Sequence, residues 1–424
     1  MTPGHLPIGQ FQPLAPYILI SHITTVLSRN STSAMFQGDQ GIQELLEWGQ
    51  QHTACLDSKV EIYQDSATGL SFRAVEDLQP GATVATCSYP ISLSYLNTIS
   101  NTRFPNWSEP FPKNFLEALG KDDPNVIGFF FLMQQFLMKE KSFWWPYIRL
   151  LPQPNEPDSL IIPALWPEED RYFLNGTNAE PPIKKRNDLW MSEWRNAISL
   201  LENNFTDWRE YSHDLYKWAA TIFGSRSFRA SLVVAEGALE SEPEAHNHIK
   251  KDRFSLLLPI IDIGNHNGIN SVQWIPNKDS GLSFLTQMLV PKGDQIFNFY
   301  GDKSNSELLV AYGFMLPRPS NDDLDADSVN LKLKPSPQAL QLRRQQTCHI
   351  IPTNPEEEFM FRIKKQSSYH GVMELNYFPH DLIDLVLCMV GNQRETRTFL
   401  SLTSNWNYCA GRDPHLHASP LYSM

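Results

Sequence analysis

The chain has 424 residues, of which 41% are hydrophobic and 12% aromatic, and its formal net charge is −12 at pH 7. Only 19% of the residues are charged, a composition that excludes wholesale disorder and supplies apolar cores for two or three domains. The acidic balance argues against nucleic acid as a partner, because phosphate binding needs basic side chains, and it suits a basic protein partner.

Cysteine spacing and hydropathy indicate an intracellular protein. The five cysteines lie far apart without a C-x-x-C pair, which favours reduced thiols over a disulfide framework or a zinc cluster. The N-terminal apolar patch lacks the basic residues of a secretory signal. The longest apolar run, residues 125–138, is shorter than a membrane span. We therefore expect a monomer without a membrane anchor, in the cytoplasm and also the nucleus.

The predicted elements begin with a small β unit. Residues 1–40 are rich in Pro, Ser, Thr, Asn and Gln without a lasting apolar period, so we expect them to be poorly structured. Short alternating runs follow from residue 59, separated by turns at Thr68-Gly69 and Pro80-Gly81; they read KVEIYQ, LSFRAV and TVATCS. This pattern predicts strands in a first β-rich region over residues 41–111.

Helical periodicity dominates residues 112–222. The apolar run at 125–138 predicts a buried helix. One long helix is predicted between residues 192 and 223, because large apolar residues recur there every three or four positions. They are Trp194, Ile198, Leu201, Phe205, Trp208, Tyr211, Leu215 and Trp218. Such a stripe is typical of a helix packed in a core rather than of a cofactor site.

A charged segment separates this insert from a second set of strands. Residues 236–252 read EGALESEPEAHNHIKKD and are expected to form a mobile loop. His246 and His248 have no third ligand nearby, so no metal site is expected. Strands are then predicted within residues 254–300, in FSLLLPIIDI, SVQWI, LSFLTQMLV and QIFNFY.

A short helix closes this second β-rich region, residues 223–316. Ser304 and Glu307 have capping-box spacing, and Gly313 supplies the C-terminal stop. Residues 317–424 begin with a charged linker and contain weaker helical patterns, the best being PHDLIDLVLCMV. The sequence thus predicts an α+β protein with two β-rich halves, a helical insert and a small helical C-terminal region, without regular βαβ alternation.

Polar residues at the ends of apolar strands are the candidates for chemistry. The sequence has no G-x-S-x-G, H-E-x-x-H, P-loop or kinase signature, which excludes the commonest hydrolases and phosphotransferases. The residues that remain are Arg226 in GSRSF, Asp262, Asn265 and His266 in PIIDIGNHNG, Tyr300 at the end of IFNFY, and Tyr312 in AYGF. Each alone also has a purely structural explanation, such as a helix cap, a turn or a packed ring.

In this order the segments resemble SET-domain protein methyltransferases of the RuBisCO large-subunit methyltransferase type. That branch includes fungal lysine methyltransferases that act on ribosomal proteins and elongation factors. The matching motifs are S-R-x-F, D-x-x-N-H, a strand ending in Tyr300 and SN-x-E-L-x-x-x-YGF, with WWPYIRLLP and ALWPEEDRYFLNGT in the insert. The resemblance covers about residues 40–320 and is weaker beyond them.

The resemblance implies a β-rich SET core with a knot-like crossing of the chain, and S-adenosylmethionine as the cofactor. On the matching positions, Asn265 and His266 would hold the cofactor through main-chain and side-chain polar groups. Asp262 would brace their turn, and Arg226 would bond the polar end of the cofactor. Backbone groups that leave a sheet still need partners when buried, and the cofactor would be one of them.

The remaining site residues also follow from the resemblance. Thr68, Gly69 and Leu70 match the first cofactor loop, although the family usually has Gly-x-Gly where this chain has glycine, leucine and serine. Tyr300 matches the catalytic tyrosine, and Tyr312 matches a wall of the narrow channel for the target side chain. No metal is expected.

The implied activity is methyl transfer to the side-chain amine of lysine in a basic, lysine-containing protein, such as a ribosomal protein or a translation factor. Two alternatives remain at this point. One is a histidine methyltransferase of the actin type, which occurs in the same family. The other is a catalytically silent SET-like scaffold that binds a protein partner.

Overall fold

A computed structural model describes residues 31–99, 103–156, 161–202, 204–235, 237–239, 242–269, 271–279, 281–316, 328–346, 360–364 and 380–391. The α-helices are α1 Ser31–Gln51, α2 Lys113–Gly120, α3 Pro124–Met138, α4 Trp145–Ile148, α5 Glu168–Arg171, α6 Glu180–Leu201, α7 His213–Arg226, α8 Ala230–Val233, α9 Pro243–Lys250, α10 Asn305–Tyr312, α11 Pro337–Gln346 and α12 His380–Val390. The strands are β1 Cys55–Leu56, β2 Val60–Asp65, β3 Gly69–Ala74, β4 Thr83–Cys87, β5 Phe228–Arg229, β6 Ser255–Leu256, β7 Val272–Asn277, β8 Gly281–Thr286, β9 Gln295–Ile296, β10 Ser328–Lys332 and β11 Met360–Lys364.

The two β-rich halves combine into shared antiparallel sheets. One sheet has the strand order β1-β4-β8-β7 and another the order β2-β3-β9, while β5 pairs with β6 and β10 with β11. Strand β4 of the first half pairs with β8 of the second, and β3 pairs with β9. The helices between the two halves therefore form an insertion between strands that belong to one core.

The hairpin of β2 and β3 turns where the sequence predicted. The Asp65 carboxylate accepts hydrogen bonds from the backbone N–H groups of Ala67 and Thr68 at 2.8 and 2.9 Å. Gly69 then has φ +76°, a conformation that favours glycine. This Asx-type turn fixes the register of the hairpin and presents Thr68 and Gly69 at its tip.

The insert is built around α3, the helix predicted from the apolar run. Asp123 caps it by accepting from the backbone N–H of Asn125, and Pro124 occupies the first turn, where a missing N–H costs nothing. Nearly every face of the helix is buried, with Phe130 and Phe131 fully so. It packs against α7 and against the 3₁₀ helix Tyr95–Thr98.

The single long helix predicted between residues 192 and 223 is wrong. Helix α6 ends at Leu201, Asp207 adopts a left-handed φ of +53°, and α7 starts again at His213 with the Ser212 hydroxyl as its cap. The apolar period misled because Phe205, in the connecting loop, is buried against Phe111 as a helical residue would be.

Two segments expected to lack order are helical. The predicted mobile loop at 236–252 contains α9, which buries His248 edge-on against Tyr95 with ring centroids 5.9 Å apart. Helix α1 begins at Ser31, so residues 31–40, also expected to be poorly structured, belong to a helix that continues to Gln51. Residues 1–30, also expected to be poorly structured, lie outside the described residues.

The strands predicted at 254–263 and 295–300 are much shorter than their apolar runs. Only Ser255–Leu256 and Gln295–Ile296 are strand. The chain turns sharply at Ile260, whose φ is +71°, and enters the 3₁₀ turn Ile261–Ile263. A buried β-branched residue at positive φ is strained, so packing overrides local preference at this point.

The C-terminal elements include the helix α12 predicted from PHDLIDLVLCMV. Leu382 and Leu385 of α12 pack with Phe361 of β11, and Cys388 packs with Ala339 of α11. No helix among the described residues is both long and apolar enough to cross a lipid bilayer.

Candidate active site

Two segments that carry candidate site residues lie side by side, residues 264–267 and residues 298–300. We call this place the chain crossing. The His266 backbone forms a parallel bridge with Asn298, and the N–H of Asn298 donates to the carbonyl of Asn265 at 2.6 Å. A Cβ atom at Gly264 would lie 3.1 Å from the Asn298 side chain, so this close approach favours glycine. The segments 264–267 and 298–300 thus meet where the resemblance predicts the knot-like crossing.

Asn265 ties this crossing to the β2–β3 hairpin. Its side-chain amide donates to the carbonyl of Leu70 at 3.0 Å and to the hydroxyl of Ser71 at 2.7 Å. The predicted cofactor residues Leu70 and Asn265 are therefore brought together. Ser71 stands where the family usually has the second glycine and is fully buried. Its part in holding Asn265 was not predicted.

His266 positions Tyr300. Its Nδ1 accepts a hydrogen bond from the backbone N–H of Tyr300 at 3.1 Å, and the two rings stack with centroids 5.1 Å apart. Burial, helped by the positive charge of Lys303, lowers the pKa of His266 from 6.5 to about 4. The ring is therefore neutral at pH 7 and keeps an acceptor for the Tyr300 backbone.

We expect His266 to make the fold sensitive to acid. Its folded pKa lies below its unfolded pKa, so the unfolded chain binds the proton first. The free energy of unfolding should fall as pH drops from about 6.5 towards 4, by about 2 kcal/mol once solvent screening is allowed for. Urea unfolding of wild type and His266→Asn between pH 7 and 4.5 checks this. Asparagine keeps an acceptor near Nδ1, and identical pH slopes would refute the expectation.

Tyr300 and Tyr312 form a stacked aromatic wall. Their ring centroids are 4.9 Å apart with an interplanar angle of 28°. The Tyr300 hydroxyl donates to the carbonyl of Gly264 at 2.9 Å. Burial raises the pKa of Tyr300, so the hydroxyl stays protonated at physiological pH. Because its hydrogen is committed to Gly264, its oxygen can still accept a hydrogen bond from another group.

A cavity of about 820 Å³ is lined by four of the predicted site residues, which are Arg226, Asp262, Tyr300 and Tyr312. Its other walls include the aromatic side chains Trp190, Phe228 and Trp274. The remaining predicted cofactor residues are not among the described residues that line it; these are Thr68, Gly69, Leu70, Asn265 and His266. They belong to the hairpin and the chain crossing instead, and their cofactor contacts stay a prediction.

Asp262 is the centre of a buried polar cluster. Its Oδ2 accepts a 2.7 Å hydrogen bond from the Tyr147 hydroxyl and lies 3.5 Å from Nη1 of Arg226, which also donates to the Asp262 carbonyl at 3.3 Å. Burial raises the pKa of Asp262, against the opposing attraction of Arg226. Its Oδ1 is buried without a hydrogen-bond partner among the described residues. The predicted role of Asp262, to brace the turn at Asn265 and His266, stays a prediction; its Oδ2 contacts Tyr147 and Arg226.

Tyr147 is a site residue that was not predicted. It lies in WWPYIRLLP of the insert, a motif that contributed to the resemblance without a role for this residue. It is separated from Asp262 by 115 positions. Burial and the neighbouring Asp262 raise its pKa, so it is a hydrogen-bond donor at neutral pH.

Comparison with solved structures defines the class of fold. The crystal structure of the SET domain of LSMT bound to MeLysine and AdoHcy matches with a TM-score of 0.55 and 16% identity, covering 86% of this chain and 75% of that chain. Rubisco LSMT bound to sinefungin and monomethyllysine matches with a TM-score of 0.54 and 17% identity, over 86% and 75% of the two chains. The protein has the α+β SET-domain fold, as predicted.

Sequence comparison narrows the resemblance within that class. The chain is 28% identical over 342 residues to ribosomal lysine N-methyltransferase set10 of Schizosaccharomyces pombe, covering 76% of this chain and 56% of the relative. It is 23% identical over 333 residues to protein-lysine N-methyltransferase EFM1 of Saccharomyces cerevisiae, covering 69% and 52%. The expected similarity to SET-domain lysine methyltransferases of the Rubisco LSMT type is confirmed.

These similarities cover only part of the relatives. N-lysine methyltransferase setd6 of Xenopus laevis is 29% identical over 241 residues, which cover 53% of this chain and 50% of the relative. The chain spans about half the length of the curated relatives it matches. No family model matches the chain.

Proposed function

We propose that this protein transfers a methyl group from S-adenosylmethionine to the side-chain amine of a lysine in a protein substrate. The observation that carries this proposal is the cavity in which the stacked pair Tyr300 and Tyr312 meets Arg226 and its buried partner Asp262. The names of three sequence relatives, set10, setd6 and EFM1, describe lysine methyltransferases and support it. So do the lysine and AdoHcy bound in a solved SET domain of the same fold.

The residues of the cavity fit the polar end of S-adenosylmethionine, which carries an ammonium and a carboxylate. The buried Oδ1 of Asp262 lacks a hydrogen-bond donor among the described residues and suits the ammonium. Arg226 has five N–H donors, and Asp262 uses only part of them, so the guanidinium can also bind the carboxylate. When bound, the cofactor supplies an electrophilic methyl group on a sulfonium.

The target amine must be neutral to act as a nucleophile. A free lysine has a pKa of about 10.4, and burial in an apolar channel lowers it because the charged form loses its hydration. The aromatic rings of Tyr300 and Tyr312 supply such walls. The Tyr300 hydroxyl oxygen, with its hydrogen donated to Gly264, can accept an N–H of the amine and orient its lone pair.

We further propose that the substrate is a ribosomal protein or a translation factor, with a basic, lysine-containing surface. The acidic net charge of −12 supports a basic partner. The name of the Schizosaccharomyces pombe relative, a ribosomal lysine N-methyltransferase, points in the same direction.

Labelled methyl transfer tests the activity directly. The protein is incubated with tritiated S-adenosylmethionine and an extract of cells that lack its gene, and the modified residue is mapped by mass spectrometry. We expect label on a lysine side chain and less than about 1% of it with Tyr300→Phe. Label on a histidine would support the actin-type alternative. An absence of transfer together with an absence of S-adenosylhomocysteine binding would support the silent scaffold.

A further inference from the structure

The wall of the cavity is cationic in a protein that is acidic overall. The described residues that line it include four cationic and two anionic side chains. The cations are Arg186, Arg226, Arg229 and Lys303, and the anions are Asp252 and Asp262. The whole chain has a net charge of −12. The positive wall is therefore a local feature that the overall composition does not account for.

Both carboxylates of the wall are already paired. Asp262 lies 3.5 Å from Arg226, and Asp252 lies 3.0 Å from Nη1 of Arg229, whose side chain is 72% exposed. Within the part of the chain that the structure describes, Arg186 and Lys303 form no ion pair with a carboxylate. These two cations leave the wall with an uncompensated positive charge.

Both uncompensated cations lie near Tyr312, the predicted wall of the lysine channel. Nζ of Lys303 lies 5.9 Å from the centre of the Tyr312 ring. Arg186 is held near the same helix turn, because its Nη1 donates to the carbonyl of Val310 at 2.7 Å. The positive charges of Arg229 and Arg186 oppose the rise that burial causes in the pKa of Tyr312, whereas the negative charge of Glu307 adds to it. A side chain entering beside Tyr312 would lie near both uncompensated cations.

The positive charge of the cavity wall has two consequences for a lysine that enters the channel. It favours the neutral amine, which the reaction needs, because nearby cations lower the pKa of an ammonium. It also repels a peptide that carries further lysines or arginines beside the target. Neighbouring residues in an extended chain are about 3.3 Å apart, so a charge on a residue next to the target lies within the roughly 10 Å over which it interacts with the wall at about 0.1 M salt. A carboxylate there would bring the missing counter-charge.

Resting on the proposed lysine methyl transfer, we propose that Arg186 and Lys303 select a target lysine that has Asp or Glu next to it in the substrate chain. The substrate protein as a whole can still be basic, since the net charge acts at long range and the cavity wall acts at the target. The expected partner is thus a basic protein with an acidic segment around its methylated lysine.

Binding of short peptides tests the selection without relying on catalysis. Isothermal titration in the presence of S-adenosylhomocysteine compares Ac-Gly-Glu-Lys-Glu-Gly-NH₂ with the same peptide carrying Gln or Lys in place of Glu. We expect wild type to bind the Glu peptide about tenfold more tightly than the Gln peptide, and the Lys peptide most weakly, with differences that shrink at high salt. Lys303→Glu should reverse this order. The control Lys292→Glu, an exposed lysine outside the cavity wall, should keep it.

The outcomes distinguish a failure of the proposed peptide preference from a failure of the proposed methyl transfer. Equal binding of the Glu and Gln peptides, no binding of any peptide at millimolar concentration, or an unchanged order in Lys303→Glu would overturn the selection. Transfer of tritiated methyl to the same peptides is measured in parallel. Tight binding of the Glu peptide without any transfer, there or to the cell extract, would support the selective wall and refute the proposed activity.

Discussion

Tyr300→Phe is expected to lower turnover by about 10²–10³-fold while S-adenosylhomocysteine still binds with near-normal affinity. The phenyl ring keeps the stacking on His266 and Tyr312, at 5.1 and 4.9 Å. What is lost is the hydroxyl that donates to the Gly264 carbonyl and offers its oxygen to the target amine. Removing one such hydrogen bond should cost only about 1 kcal/mol of stability. A contact used mainly in the transition state lowers kcat rather than binding.

Single-turnover methylation, with titration of S-adenosylhomocysteine in parallel, measures the two effects separately. Tyr312→Phe is the matched control, because it removes the hydroxyl of the other ring in the same stacked pair and should cause a milder loss. A Tyr300→Phe enzyme that methylates at close to the wild-type rate would show that Tyr300 is not the catalytic residue. Equal losses in both variants would point to the shape of the wall rather than to one oriented oxygen.

Features set by local chemistry could be predicted from the sequence. Helix α10 begins and ends as expected, since Ser304 and Glu307 form the reciprocal capping box and Gly313 adopts the left-handed φ of +82°. The turn at Gly69 was predicted because its residue types permit one backbone conformation at low cost. In both cases the determining contacts lie within four residues of each other.

Features set by distant contacts could not be predicted. The break between α6 and α7 is hidden because Phe205 in the loop is as apolar as a buried helical residue. The turn at Ile260 opposes the preference of a β-branched residue and exists only because the surrounding core imposes it. The apolar pattern reports burial, and burial alone does not distinguish a strand from a tightly packed turn.

In the candidate site, too, some residues could be predicted from the sequence and others, which depend on distant contacts, could not. The resemblance located Arg226, Asp262 and Tyr300, which meet in one cavity. It gave no role to Tyr147, because the hydrogen bond to Asp262 joins residues 115 positions apart. The cations around Tyr312 come from separate elements for the same reason, and no motif connects them. Predicting these pairs requires the tertiary structure.

Asp262→Ala is expected to destabilise the fold by about 3 kcal/mol, because it leaves the guanidinium of Arg226, whose side chain is 30% exposed, without its partner. The pair itself need not be strongly stabilising. Burial raises the pKa of Asp262 despite the attraction of Arg226, so desolvation of the carboxylate outweighs the ion pair. The cost of the single substitution therefore lies in the group left behind. It also removes the acceptor of the Tyr147 hydroxyl.

A double-mutant cycle separates these contributions. Arg226→Met fills similar space without charge, so Asp262→Ala combined with Arg226→Met should recover at least about 2 kcal/mol of the loss expected from adding the two single substitutions. The same four proteins with Tyr147→Phe added show how much of the loss comes from the Tyr147 hydroxyl that loses its acceptor. Urea unfolding at pH 7, followed by circular dichroism, gives the free energy of unfolding of each protein. If the two substitutions add without coupling, Arg226 does not depend on Asp262, and the expected cost of leaving the guanidinium without its partner is wrong.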